Sequence, residues 1–167
     1  MLLQHEIFPM AKTSGRAEKG VVAEKRALNQ ALLLWVRTSL RVLPWRATRD
    51  PWAVLVSEVM LQQTQVNRVE PKYLEFVDRW PTPQALASSK LSDLLKFWQG
   101  LGYPRRARNL YDTAAHITDF HDGKVPRVLD ELLLLPGVGP YTARAVMVFA
   151  FEERVGVLDT NVGRLLA

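Results

Sequence analysis

Apolar residues recur at three- and four-residue intervals through most of the chain, and the breaks between these runs fall at proline and glycine. From Glu24 to Leu40 the repeat passes through Leu28, Ala31, Leu32 and Trp35 and predicts a helix. Leu43-Pro44-Trp45-Arg46 reads as a loop, because proline and the residue before it resist helix continuation. Asp50-Pro51 reads as a helix start: aspartate caps free amides, and proline suits the first helical position. The helix expected from Pro51 to about Gln63 carries Val54, Leu55, Val59 and Leu61, apolar around much of its circumference. Further helices fit Arg68 to Arg79, a start at Thr82-Pro83, Leu91 to Trp98, and Pro104 to Phe120. Gly100-Leu101-Gly102-Tyr103 and Gly123 mark the interruptions. The last third predicts a short helix over Leu129 to Leu135, the turn Pro136-Gly137-Val138-Gly139, and a helix from Pro140 to Phe151. A helix-like run then starts near Asn161 and meets no stop signal. No stretch alternates with period two, so the expected fold is all-α, without internal repeats. Residues 1–23 lack periodicity and read as a disordered basic tail.

Length and composition narrow this picture. A chain of 167 residues, 48% of them hydrophobic, buries one core or two small lobes sharing a cleft. No apolar run approaches the roughly 20 residues of a membrane span, and Ala31 to Val36 and Leu132 to Leu135 suit buried helix turns. The amino terminus has no secretory pattern, and the cytoplasm is the default address. The absence of cysteine excludes disulfides and cysteine-held metals within this sequence. A net charge of +5 and an isoelectric point near 9.7 favour a polyanionic partner without establishing one, since basic solvated faces are common.

Three groups of residues carry candidate chemistry. Leu135-Pro136-Gly137-Val138-Gly139, set between two helices, has the form of a helix-hairpin-helix. Its glycines permit close backbone approach to a phosphate, and the next helix offers free amides. A plain helix–helix turn has the same pattern. Glu58 has Val54, Leu55 and Leu61 as helical neighbours, and an apolar setting raises a carboxyl pKa toward that of a general acid. The alternative is a solvated glutamate on a polar helix edge. Asp159 precedes the final helical run, where dipole and amides keep a carboxylate ionised, or where it serves as an ordinary N-cap. Together the two divide labour as glycosidic cleavage requires. Arg105, Arg106 and Arg108 open the helix after Tyr103, as phosphate contacts or as a solvated face.

From Leu43 onward the sequence resembles the catalytic domain of MutY-type adenine DNA glycosylases, in the helix-hairpin-helix glycosylase superfamily. The matching stretches are Leu-Pro-Trp-Arg at 43–46, Asp-Pro-Trp at 50–52, Ser-Glu-Val-Met-Leu-Gln-Gln-Thr-Gln-Val at 57–66 and Gly-Leu-Gly-Tyr at 100–103. Ala-Arg-Asn-Leu at 107–110, Leu-Pro-Gly-Val-Gly at 135–139 and Leu-Asp-x-Asn-Val at 158–162 complete the set, in matching order and spacing. The resemblance implies that Glu58 protonates adenine, Asp159 stabilises the cationic sugar and Asn161 helps orient that site. Trp45 and Arg46 would line the pocket for the flipped base, because a glycosidic bond cannot be reached inside a stacked duplex. Gln63, within the stretch Leu61, Gln62, Gln63 and Thr64, would wedge into the stack, and Tyr103 would intercalate opposite. Gly137, Val138 and Gly139 would meet phosphate. Pro104 replaces an aromatic residue frequent in the family. Endonuclease III, the bifunctional relative, places a Schiff-base lysine where Tyr141 stands here, so the resemblance favours a monofunctional enzyme.

The implied partner is double-stranded DNA with adenine opposite 8-oxoguanine or guanine, and no membrane. Full-length relatives add four cysteines holding a [4Fe-4S] iron–sulfur cluster and a domain that helps recognise 8-oxoguanine. A chain without cysteine can hold no such cluster. The expectation is therefore the front part of a bacterial enzyme that is monomeric when full length. It comprises the tail, residues 24–42 as the first helix of the second lobe, residues 43–151 as a six-helix lobe with the hairpin, and residues 152–167 as the aspartate loop with an incomplete helix. Leu28, Leu32, Leu33 and Trp35 would then lack partners, giving marginal stability and self-association. A DNA-binding piece without turnover, and a helical interaction module in which Glu58 and Asp159 are structural, are the alternatives.

Overall fold

The computed structural model describes residues 15–166, which fall into two compact units divided after Arg41. The first unit is one helix, α1 (Gly15–Ser39). Its start corrects the tail expected over residues 1–23: from Gly15 the chain is helical, and residues 1–14 lie outside the described range. Arg16, Ala17, Glu18 and Lys19 are good helix formers with no proline among them, so the helix propagates backward from the periodic segment. At the other end Thr38 Oγ1 donates to the carbonyls of Leu34 and Trp35, at 3.1 and 3.2 Å. Leu28, Leu32, Leu33 and Trp35 stand exposed along α1.

The second unit is helical throughout its regular structure. After a 3-10 turn at Pro44–Arg46 it comprises α2 (Pro51–Leu61), α3 (Val66–Arg79), α4 (Pro83–Ala87), α5 (Leu91–Phe97), α6 (Pro104–Phe120), α7 (Leu129–Leu134), α8 (Pro140–Phe149) and α9 (Thr160–Leu166). No strand occurs among the described residues, and no helix there is long and apolar enough to cross a membrane. Asp50 caps α2 as its sequence predicts, accepting from the amides of Trp52 and Ala53 at 3.2 and 3.3 Å. Thr82 does the same for α4.

Every residue of α2 from Trp52 to Met60 is buried, which explains its apolar circumference. The helix packs against α3, α6 and α8. Beside it Phe76 collects Trp52, Trp80 and Phe97 at ring separations of 6.4, 5.0 and 5.8 Å. Each such buried side chain contributes about 1.5–3 kcal/mol of transfer free energy. Truncating Leu55, which is fully buried, to alanine would therefore cost about 2–5 kcal/mol. This central helix carries Glu58 into the site.

Candidate active site and nucleic-acid interface

Glu58 is only 8% exposed. Burial pushes its carboxyl up to about 7, and a hydrogen bond with the Tyr141 phenol offsets part of that rise. The solvated-edge alternative is thereby removed: the carboxyl sits on the buried length of α2. Tyr141, in the first turn of α8, is itself pushed up to about 12. Burial contributes most, followed by the charge and hydrogen bond of Glu58 and then the charge of Asp159. One phenol thus feels both carboxylates. Asp159 is half-buried at the start of α9, with Oδ1 accepting from the Val162 amide at 2.7 Å and the Asn161 amide nitrogen 3.5 Å from Oδ2. It is an N-cap as well as a neighbour of Tyr141. The segment leading to it is fastened by Arg127–Glu153 and Arg49–Glu152 ion pairs, at 2.7 and 3.0 Å.

The hairpin forms between α7 and α8. Gly137 adopts φ +75°, and the Val138 amide closes the turn on the Leu135 carbonyl at 3.1 Å. A Cβ added at Gly137 would stand 2.9 Å from Asn109 Cγ and nearer still to Cβ and Nδ2, so α6 backs the turn closely. Thr113 Oγ1 donates to the Pro136 carbonyl at 2.7 Å and pins the turn to the same helix. Gly137 is exposed and Gly139 half-buried. Val138 points into the core and spends its amide internally, so it offers a ligand neither side chain nor N–H.

The wedge stretch separates in the same way. Leu61 packs against the core, Gln62 Nε2 donates to Thr142 Oγ1 at 3.3 Å, and Thr64 Oγ1 donates to the Leu101 carbonyl at 2.9 Å. Gln63 alone of the four is exposed, at φ +54°. Tyr103, 58% exposed at φ +47°, opens α6. Trp45 is taken up by the core, edge-on to Tyr73 at 5.4 Å, so it does not face an open pocket, whereas Arg46 is exposed. Among the three arginines after Tyr103, Arg105 and Arg108 are exposed. Arg106 is buried and bonds protein carbonyls, which corrects its reading as a phosphate contact or solvated charge.

The second unit thus brings together a hairpin backed by α6, a buried carboxyl, and a helix-capping carboxylate whose charge reaches the same tyrosine. Residues 56–167 match the HhH-GPD superfamily base excision DNA repair protein family, and the chain belongs to that family. Within it, the chain is similar to the adenine DNA glycosylase of Mycobacterium tuberculosis (strain CDC 1551 / Oshkosh), being 47% identical over 151 residues, 90% of this chain and 50% of that protein. The chain thus spans half the length of that relative. Its fold matches a thermostable thymine-DNA glycosylase with a TM-score of 0.83 at 30% identity, covering 87% of this chain and 68% of the other. It also matches endonuclease III in a non-covalent DNA complex, with a TM-score of 0.72 at 28% identity, covering 86% and 67%. The fold is therefore all-α and of the helix-hairpin-helix glycosylase kind, and the resemblance drawn from the motifs is borne out.

Iron–sulfur clusters are held mainly by cysteine thiolates. This sequence has none, so no residue set in it fits such a group. Among the described residues no three His, Asp or Glu side chains converge as metal ligands would.

Proposed function

We propose that this chain carries the chemistry of a monofunctional adenine DNA glycosylase acting on adenine opposite 8-oxoguanine or guanine in duplex DNA. The observation that carries the reading is the coupled pair: a carboxyl that keeps its proton near neutrality and a carboxylate on a helix start, both acting on Tyr141. Such a division suits glycosidic cleavage. With adenine flipped out, Glu58 gives its proton to the base as the C1′–N bond breaks, and adenine leaves neutral. Asp159 stabilises the positive charge left on the sugar. Water then adds to C1′ and its surplus proton returns to Glu58. Asn161 steadies the Asp159 carboxylate.

Gly137 and Gly139, with the first amides of α8, are assigned to a phosphate, Arg46 to the base pocket, Gln63 to the gap left by the flipped base, and Tyr103 to the opposite strand. Trp45 and Val138, which the core occupies, receive no direct contact. A phenol forms no Schiff base, so Tyr141 is incompatible with lyase chemistry of the endonuclease III type. Glu58 and Asp159 on opposite sides of the domain would have favoured a structural role for both, whereas Tyr141 feels both.

The test is adenine release from a duplex carrying adenine opposite 8-oxoguanine, with Glu58→Gln as control. Release that the substitution abolishes is the expected result. Salt-dependent duplex binding without release would overturn turnover by this chain and leave a binding function.

A further inference from the structure

Arg106 is, with Glu58, one of two buried acidic or basic side chains among the described residues, and the chemistry above gives it no task. It is 9% exposed and reaches away from its own helix. Nη1 donates to the carbonyls of Val59 and Met60 at 2.9 and 3.0 Å. Nη2 donates to Thr64 Oγ1, the Leu101 carbonyl and the Gly102 carbonyl at 2.8, 2.9 and 3.1 Å. Val59 and Met60 carry two of the last carbonyls of α2, which have no partner within that helix and lie at its negative end. The guanidinium also lies 5.5 Å from the Tyr103 ring and 5.7 Å from the Trp98 ring. One planar cation therefore joins the end of α2, the turn after it and the turn before α6.

Those two turns carry the exposed groups assigned to DNA. Gln63 and Tyr103 both hold left-handed backbone, at φ +54° and +47°, which side-chain-bearing residues adopt only when their surroundings impose it. Gly100 and Gly102 flank Tyr103 at φ +90° and +77°. Without a fastening, both turns would relax toward the commoner backbone regions.

We propose that Arg106 is a positioning residue: it fastens the Gln62–Thr64 turn to the Leu101–Tyr103 turn, so that Gln63 and Tyr103 meet a duplex as one preorganised pair. The proposal rests on the assignment of these two side chains to DNA. Lysine cannot replace the arginine in this role, because an ammonium lacks the fork needed to serve acceptors on both turns. Thr64 contributes to the same fastening, accepting from Arg106 while donating to Leu101.

The experiment compares Arg106→Lys and Thr64→Val with the wild-type chain. It reads amide hydrogen exchange across the domain, and the ratio of duplex Kd values with and without a non-cleavable adenine analogue opposite 8-oxoguanine. Arg106→Lys is expected to speed exchange about tenfold in residues 61–65 and 100–105, with Ala114 and Ile117 unchanged, and to reduce the Kd ratio about tenfold. Thr64→Val should move both readouts in the same direction and less far. Unchanged exchange in the two turns overturns the proposal. So does an equal rise throughout the domain, which would mark a merely structural arginine, or loosened turns with unaltered discrimination. A wild-type chain that does not discriminate the analogue would defeat the glycosylase assignment and the DNA half of this proposal, while exchange would still decide the fastening itself.

Discussion

Replacing Glu58 with glutamine should make the protein gain stability relative to the wild type as pH rises, although it removes the assigned acid. In the fold the carboxyl is pushed from 4.5 up to about 7, chiefly by burial. Ionising it there costs about 3 kcal/mol more than in the unfolded chain. The sign follows from proton binding: between these two values the folded state holds the proton more tightly, so stability falls as pH rises. The contribution is complete below 4.5 and is lost as pH passes about 7. Of that loss, about 1 kcal/mol has occurred by about pH 5, and the rest follows by about pH 8.5. Glutamine does not titrate, so the variant escapes this loss, while all other groups cancel in the difference. Because the amide brings a second donor into the pocket, the offset at acid pH takes either sign; its pH dependence does not. Urea unfolding followed by tryptophan fluorescence across that range measures the difference directly. A gap between variant and wild type that stays constant within about 0.5 kcal/mol from pH 5 to 8.5 would refute the buried, protonated carboxyl.

Three further substitutions probe the neighbouring parts. Tyr141→Phe removes the hydrogen bond that favours the Glu58 carboxylate, so the alkaline limb of single-turnover adenine release should move to higher pH; an unmoved limb would detach Tyr141 from the acid. Gly137→Ala places a Cβ against Asn109 at φ +75°. It should cost about 1–3 kcal/mol in thermal unfolding and weaken duplex binding, and an unaltered melting curve would count against the close backing of the turn. Arg105→Ala, at an exposed side chain, should flatten the logarithmic dependence of duplex affinity on salt by about one unit, whereas an unchanged slope would move Arg105 away from the phosphates.

The helix order was legible because the apolar period and the Asp50-Pro51 and Thr82-Pro83 starts agree at every level. The extra turns of α1 were not, since helix propensity in Gly15–Ala23 comes without an apolar stripe to announce it. Glu58 and Asp159 were legible as a pair, yet the tyrosine coupling them depends on a contact between α2 and α8 that no local pattern encodes. Val138, Trp45 and Gln62 show the converse limit. A motif says that a stretch meets DNA, but not which of its side chains the core withdraws. Arg106 was misread for a different reason, because the relevant signal was present. On α6 the buried positions Arg106, Ala107, Leu110, Thr113, Ala114 and Ile117 form one stripe, and Arg105 and Arg108 fall off it. A charge on the apolar face of a helix must find partners inside the fold, since an unpaired buried charge costs several kcal/mol, of order 3–5. The partners available to it were the carbonyls at the end of α2 and in the two turns. The residue that the periodicity marks as misplaced is therefore the one that joins the end of α2 to the turns at Gln62–Thr64 and Leu101–Tyr103.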